Sequence, residues 1–419
     1  MGPMDGRSRV RRIRRWLAVL VAAAGVLLAG CAAELPENEA AKVTAGQGER
    51  GGKADQTGQD GQVKQAEPAQ RTGTARQEVP LADDPPSGRS AQAAPEKLDE
   101  RPEAGVTLFL DEGLVLDING ERREVLRPGS IRWAGLHEAD VDDDGTAEIV
   151  ITYSLGGGTG FNDGRMAVFR RDFTAVPSDD DPLEALEGAM AMSMDHKRRE
   201  IVLEADGRAW RIPFPDDETD WWPAPHIGNV IHYVVVDDRP AASVGLQAST
   251  AWFPADLWIA YDWNGERLAV SAPEVHVHKE TGHPYRYEDR RLGLALRVPA
   301  GWFVDTGAFG GEPAGGKSFA VLVEGHPERA LRHDDRDRIT VSAGTGPAPK
   351  LKGAWEQIDV KLPSGETAAL HFANASETVE LWFLSDIAVA NGVLRAETFN
   401  GNRDAIVEML GSLETLMEN

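Results

Sequence analysis

The densest chemistry in this chain lies between Asp140 and Glu148. Carboxylates stand at Asp140, Asp142, Asp144 and Glu148, relative positions one, three, five and nine, with Gly145 at position six. A tight loop with this spacing aims hard oxygens at one point. Ca2+ takes such an arrangement, with six to eight oxygens at ~2.3–2.6 Å. Gly145 permits the positive φ that turns the loop back on itself. Position twelve, where an EF-hand carries a bidentate Glu, is Ile151, and the run from Ala147 to Tyr153 predicts a strand, not a helix. The loop is therefore no EF-hand, and the Ca2+ expected in it is structural, not catalytic. The competing reading is a solvated acidic turn that binds Ca2+ weakly.

A second set of side chains alternates along one strand. His276 and His278 share a face of the run Glu274–His278, and His283 follows, a pattern that suits Zn2+ or Cu2+. The competing reading is two edge-strand histidines facing water. Trp221 and Trp222, before Pro223, read as an exposed loop pair able to stack on sugar rings, whereas Trp258 reads as core. Gly311 to Ser318 fits GxxxxGK[ST], but a phosphate cradle needs a helix after it and Ser318–Val323 is a run of β-formers. No nucleotide is expected. No nucleophile elbow, HExxH or Cys–His pair is present, so no catalytic residue is assigned.

The only cysteine, Cys31, excludes internal disulfides. Arginines crowd residues 7–15, and an apolar stretch runs from Trp16 to Gly30, short of the ~20 residues that span a bilayer. Leu28-Ala29-Gly30-Cys31 resembles the lipobox of bacterial lipoproteins. That resemblance implies a signal peptide over 1–30, a diacylglycerol-bearing Cys31 and an extracytoplasmic protein anchored to the membrane. Against 44 Lys+Arg stand 68 Asp+Glu, a net charge of −24, which repels nucleic acid. A cell-wall polymer or an envelope protein is the expected partner.

The elements that must position these groups divide into four stretches. Residues 31–103 hold almost no large apolar side chain and read as a disordered tether. Residues 104–283 read as a mainly antiparallel β-domain. Its cues are an Asn119-Gly120 hairpin turn and one short helix begun by Asp181-Pro182. Residues 284–419 read as an α/β-sandwich-like domain closed by an amphipathic helix over Asp404–Leu416. The fold class expected is α+β and β-rich.

The acidic loop resembles the calcium loops of FG-GAP/VCBS-type repeats, which implies ligands at Asp140, Asp142, Asp144 and Glu148. Those families repeat the loop around a propeller; one copy stands here, so no propeller is expected. The stretch 130–280, with the Gly156–Gly160 turn, resembles uncharacterised lipoproteins of Gram-positive spore-formers. Strand, Pro299-Ala300-Gly301-Trp302, further strands and a last helix resemble the PsbP-like fold. The function expected is a non-catalytic binding or scaffolding module. The alternatives are a wall-active hydrolase with an unrecognised carboxylate site and an assembly factor for a membrane complex.

Overall fold

The computed structural model describes residues 94–419, apart from 159–160, 179–180, 216–220, 308–317, 329–336, 345–354 and 417–419. Cys31, the signal stretch and the tether as far as residue 93 lie outside the described residues. The described residues belong to one compact unit.

It opens with a four-stranded antiparallel meander: β1 (Glu96–Arg101), β2 (Val106–Leu110), β3 (Leu114–Ile118) and β4 (Glu121–Leu126). Asn119 (φ 53°) and Gly120 (φ 89°) both take the left-handed conformation that a type I′ hairpin turn demands. Strand β1 falls inside the stretch read as tether. Its single aliphatic side chain, Leu98, packs on the core beneath, and Asp99 Oδ2 accepts from Leu136 N–H at 2.8 Å. Pairing with the adjacent β2 and the contact with Leu136 order a segment whose composition carries no such signal.

Next come β5 (Trp133–Ala139), β6 (Glu148–Gly158), β7 (Phe161–Phe169) and helix α1 (Pro182–Ala189). Asp181 caps α1 by accepting from Leu183 N–H at 2.9 Å, with Pro182 at the first helical position. Then follow β8 (Ala191–Asp195), β9 (Glu200–Ala205), β10 (Arg208–Pro213), β11 (Trp221–Val236), β12 (Arg239–Ser249) and β13 (Ala255–Trp263). After β13 come two short strands, β14 (Leu268–Val270) and β15 (Glu274–Val277), parted at Ser271-Ala272-Pro273, where proline offers no N–H to a ladder.

The remainder is β16 (Tyr285–Asp289), β17 (Leu294–Val298), β18 (Phe303–Asp305), β19 (Ser318–Leu322), β20 (Arg338–Ala343) and β21 (Glu356–Lys361). It continues through β22 (Thr367–Ala375), β23 (Thr378–Leu384), β24 (Ala388–Arg395), helix α2 (Ala396–Gly411) and β25 (Glu414–Thr415).

Three larger sheets result. One runs β14-β13-β12-β11-β7-β6-β5 with β15 added on β13, one runs β25-β17-β16-β10-β9-β8, and one runs β18-β19-β20-β24-β23-β22-β21. The protein is β-rich, and among the described residues its strand–strand pairings are antiparallel except β7 with β11, an isolated Ser178–Leu268 bridge also being parallel. At that parallel contact Gly164 lies so near Ile231 that a Cβ would come 2.3 Å from its carbonyl oxygen, so only glycine fits. The β10–β16 pairing joins stretches 104–283 and 284–419 in one sheet.

Alternation along the strands distributes the core. On β6, Ile149 and Ile151 join Leu108 and Leu116 beneath the meander, while Val150 joins the larger core on the opposite face. On β13, Leu257, Ile259 and Tyr261 enter that larger core. Trp258 and Ala260 face a smaller cluster with Phe303 and Leu322.

Helix α2 begins eight residues before the expected Asp404 and stops at Gly411, ahead of the expected Leu416. Asn400-Gly401-Asn402 are weak helix formers and mask its first turns. Burial of Phe399, whose ring lies 5.2 Å from Phe372, supplies what propensity does not.

Candidate metal centres

The acidic loop joins β5 to β6. Because Ala139 pairs with Glu148 across those strands, the ladder itself brings the first and last carboxylates of the motif together. Oxygens of Asp140, Asp142 and Glu148 lie within 4.8 Å of one another. Backbone N–H groups organise the turn: Gly145 donates to Asp140 Oδ2 (3.0 Å), Asp144 to Asp142 Oδ1 (3.2 Å) and Val141 to Glu148 Oε2 (3.1 Å). Gly145 takes φ 93°, as its position requires. Asp144 stands outside the trio, exposed, with Oδ1 accepting from Thr146 N–H at 2.7 Å.

One oxygen is left over. Asp140 Oδ1 is sealed from solvent and has no hydrogen-bond partner among the described residues. Burial pushes the Asp140 carboxyl above its ordinary range, and the charges of Asp143, Asp144 and Asp142 push the same way against the Gly145 N–H. Burial raises Glu148 too, aided by the charges of Asp142 and Asp144. A cation placed here would relieve both. Two partners were not legible in the motif. The Arg170 guanidinium lies 3.2 Å from Asp142 Oδ2, and Asp238, from the β11–β12 turn, accepts from Asp140 N–H at 3.3 Å.

The histidines form a second centre. His276 on β15 is the cross-strand partner of Asp256 on β13, and His278 follows directly after β15. His278 Nε2 lies 3.1 Å from Asp256 Oδ2, and its Nδ1 is 2.8 Å from the Phe253 carbonyl oxygen. Ligand atoms of Asp256, His276 and His278 lie within 4.8 Å of one another. His326, after β19, brings its ring centre to 5.0 Å from that of His276. His283 is exposed and stands outside this set.

Charge in this cluster is unequal. Burial, reinforced by His326 and His278, drives His276 down to about 3, so it is neutral at physiological pH. Burial also pulls His278 down, but the Asp256 carboxylate outweighs it and holds His278 above its ordinary value. Asp256 is pushed up by burial yet ends below its usual range, because the His278 hydrogen bond and the surrounding imidazoles prevail. Asp256 and His326 carry no local sequence signal; register across β13 and β15 is what brings Asp256 in.

The chain matches no protein-family model and no curated protein. Function must then be drawn from the sites themselves.

The tryptophan pair is not a loop pair. Trp221 and Trp222 open β11 and both are half-buried. Trp221 stacks on Phe214 at 4.3 Å and meets Trp252 edge-on at 4.8 Å, so packing holds the ring that was read as exposed. Trp222 meets His226 edge-on at 6.3 Å. Residues 311–317 of the phosphate-loop-like motif lie outside the described residues, and Ser318 opens the buried strand β19 where a phosphate loop would open a helix. Glu274 has the acid strength a general acid needs, pushed up to about 7 chiefly by burial, but its side chain is fully buried.

Proposed function

We propose that this chain is a lipid-anchored extracytoplasmic module that binds or scaffolds without catalysis. One structural Ca2+ would be held by Asp140, Asp142 and Glu148, with Asp144 reaching in from the exposed side. The observation that carries the calcium reading is the sealed, unpartnered Asp140 Oδ1 beside two other convergent carboxylates. A bound Ca2+ would clamp the connection between β5 and β6, the strands whose Leu136, Ile149 and Ile151 pack beneath the meander. The anchor rests on the lipobox-like Leu28–Cys31. In this reading residues 284–419 keep a PsbP-like layout, with α2 behind the sheet of β18–β24, and the partner is a wall polymer or an envelope protein.

Thermal melts of the detergent-solubilised full chain test the calcium. At a hundred times the dissociation constant a ligand stabilises by ~2.7 kcal/mol, so the melting temperature should rise by several degrees in Ca2+ relative to EDTA. Asp142→Ala should remove the rise, and a wild-type melt indifferent to Ca2+ would sink the site. Metabolic labelling with a radioactive fatty acid tests the anchor. The wild-type chain should take up label and Cys31→Ser should not; equal label in both would refute lipidation at Cys31.

A further inference from the structure

We propose that Asp256, His276 and His278 form a binding site for a divalent transition-metal ion of the Zn2+ class, with His326 as the fourth ligand. The donor set selects the class of ion. Three imidazoles and one carboxylate suit a borderline cation such as Zn2+ and are a poor match for Ca2+, which takes oxygens throughout. This centre therefore differs in chemistry from the acidic loop and stands on different strands.

Three of the ligands stand close enough to share one ion, with ligand atoms of Asp256, His276 and His278 within 4.8 Å of one another, and His326 would close on them from beside His276. Ligands at ~2.0–2.1 Å from a tetrahedral ion lie roughly 3.3 Å apart, and imidazole ring centres roughly 5 Å apart. His278 Nε2 and Asp256 Oδ2 are 3.1 Å apart. The ring of His276 lies 5.8 Å from that of His278 and 5.0 Å from that of His326.

The surroundings hold the ligands in place. Asp256 and His276 sit opposite each other on paired strands, so their spacing is set by a sheet and not by a loop. His278 Nδ1 meets the Phe253 carbonyl at 2.8 Å, the outer bond that leaves the other ring nitrogen aimed at a metal. His276 Nδ1 is buried without a hydrogen-bond partner among the described residues. Trp258 braces His326 edge-on at 5.2 Å, and Phe303 meets the His276 ring at 6.3 Å.

An ordinary Asp–His ion pair accounts for Asp256 and His278 alone. It leaves unexplained why the His276 imidazole, with a buried and unpartnered Nδ1, converges on the same point, and why the His326 ring packs against it at 5.0 Å. A metal ion accounts for all four.

The test is a Co2+ titration of the chelator-stripped, detergent-solubilised full chain, read by visible d–d absorption and followed by displacement with Zn2+. One equivalent of Co2+ should give the intense bands of a four-coordinate nitrogen–oxygen site, and Zn2+ should abolish them. Removing a ligand in His276→Gln or His278→Gln should weaken binding by at least about 100-fold. His326→Ala alters an exposed side chain, so the fold should survive while the bands change and affinity drops by about tenfold or more. Asp142→Ala should leave the titration unchanged. No d–d bands in the wild type overturns the site. Unaltered affinity in His276→Gln and His278→Gln variants that melt like wild type does so as well, as does loss of the bands in Asp142→Ala. Unaltered bands in His326→Ala overturn the fourth ligand.

Discussion

Above pH 7, where Glu274 is ionised, Arg208→Met should destabilise the protein by about 3–5 kcal/mol, the cost of removing one partner from a buried ion pair. Both side chains are shut away from water, Arg208 at 1% and Glu274 at 0% exposure, with Nη1 3.3 Å from Oε1. Thr306 donates its N–H to the same Glu274 oxygen at 3.2 Å, and Arg208 also reaches the Pro273 carbonyl at 3.4 Å. Satisfaction is incomplete even so. Glu274 Oε2 and Arg208 Nε find no partner among the described residues. Replacing both members, in Arg208→Met with Glu274→Leu, should recover most of the loss, because burying two apolar groups is cheaper than burying one unpaired charge. Urea denaturation of the wild type and the two variants would decide it; a double variant as unstable as the single one would contradict this account.

The same carboxyl makes stability depend on pH. Burial, with Asp305 nearby and Arg208 opposing, raises Glu274 from 4.5 to about 7. Between those values the unfolded chain releases this proton while the folded protein keeps it. Stability is then full below 4.5, falls as pH rises towards 7, and is level beyond. The gap corresponds to at most about 3 kcal/mol. Glu274→Gln should remove that slope, and a urea midpoint equally pH-dependent in both proteins would assign the titration to another group.

Trp210→Ala should cost a further large amount, about 3–5 kcal/mol, by emptying the middle of the six-stranded sheet. Trp210 is fully buried on β10, 5.6 Å from the Tyr287 ring, which in turn meets Phe319 of the neighbouring sheet edge-on at 5.0 Å. The indole backs the Tyr287 ring that meets the neighbouring sheet, so its loss opens a cavity at the centre of the packed core. Trp210→Phe should cost much less. It keeps most of the aromatic contact and removes the indole Nε1–H, which is buried without a partner among the described residues. Equal losses for Ala and Phe in urea denaturation would show that the void is not the cause.

Features that depend on neighbours in the chain were legible from residue types alone. Asn119-Gly120 makes its hairpin, Asp181 and Pro182 start α1, and the alternating apolar runs become strands. Three of the four acidic-loop carboxylates converge because Asp140 and Glu148 flank one short connection between paired strands, a distance that turn chemistry alone controls. Where the chain departs from expectation, a distant partner is the reason. Strand β1 is ordered by β2 and Leu136, α2 starts early because Phe399 is buried, and Trp221 is held by Phe214 and Trp252. The histidine centre is the clearest case. His276 and His278 announce themselves by alternation, yet His283, nearest in sequence, stands apart. Asp256 and His326 come in from far along the chain. Which strands pair, and in what register, depends on burial summed over the whole core, and no short window of sequence contains that sum.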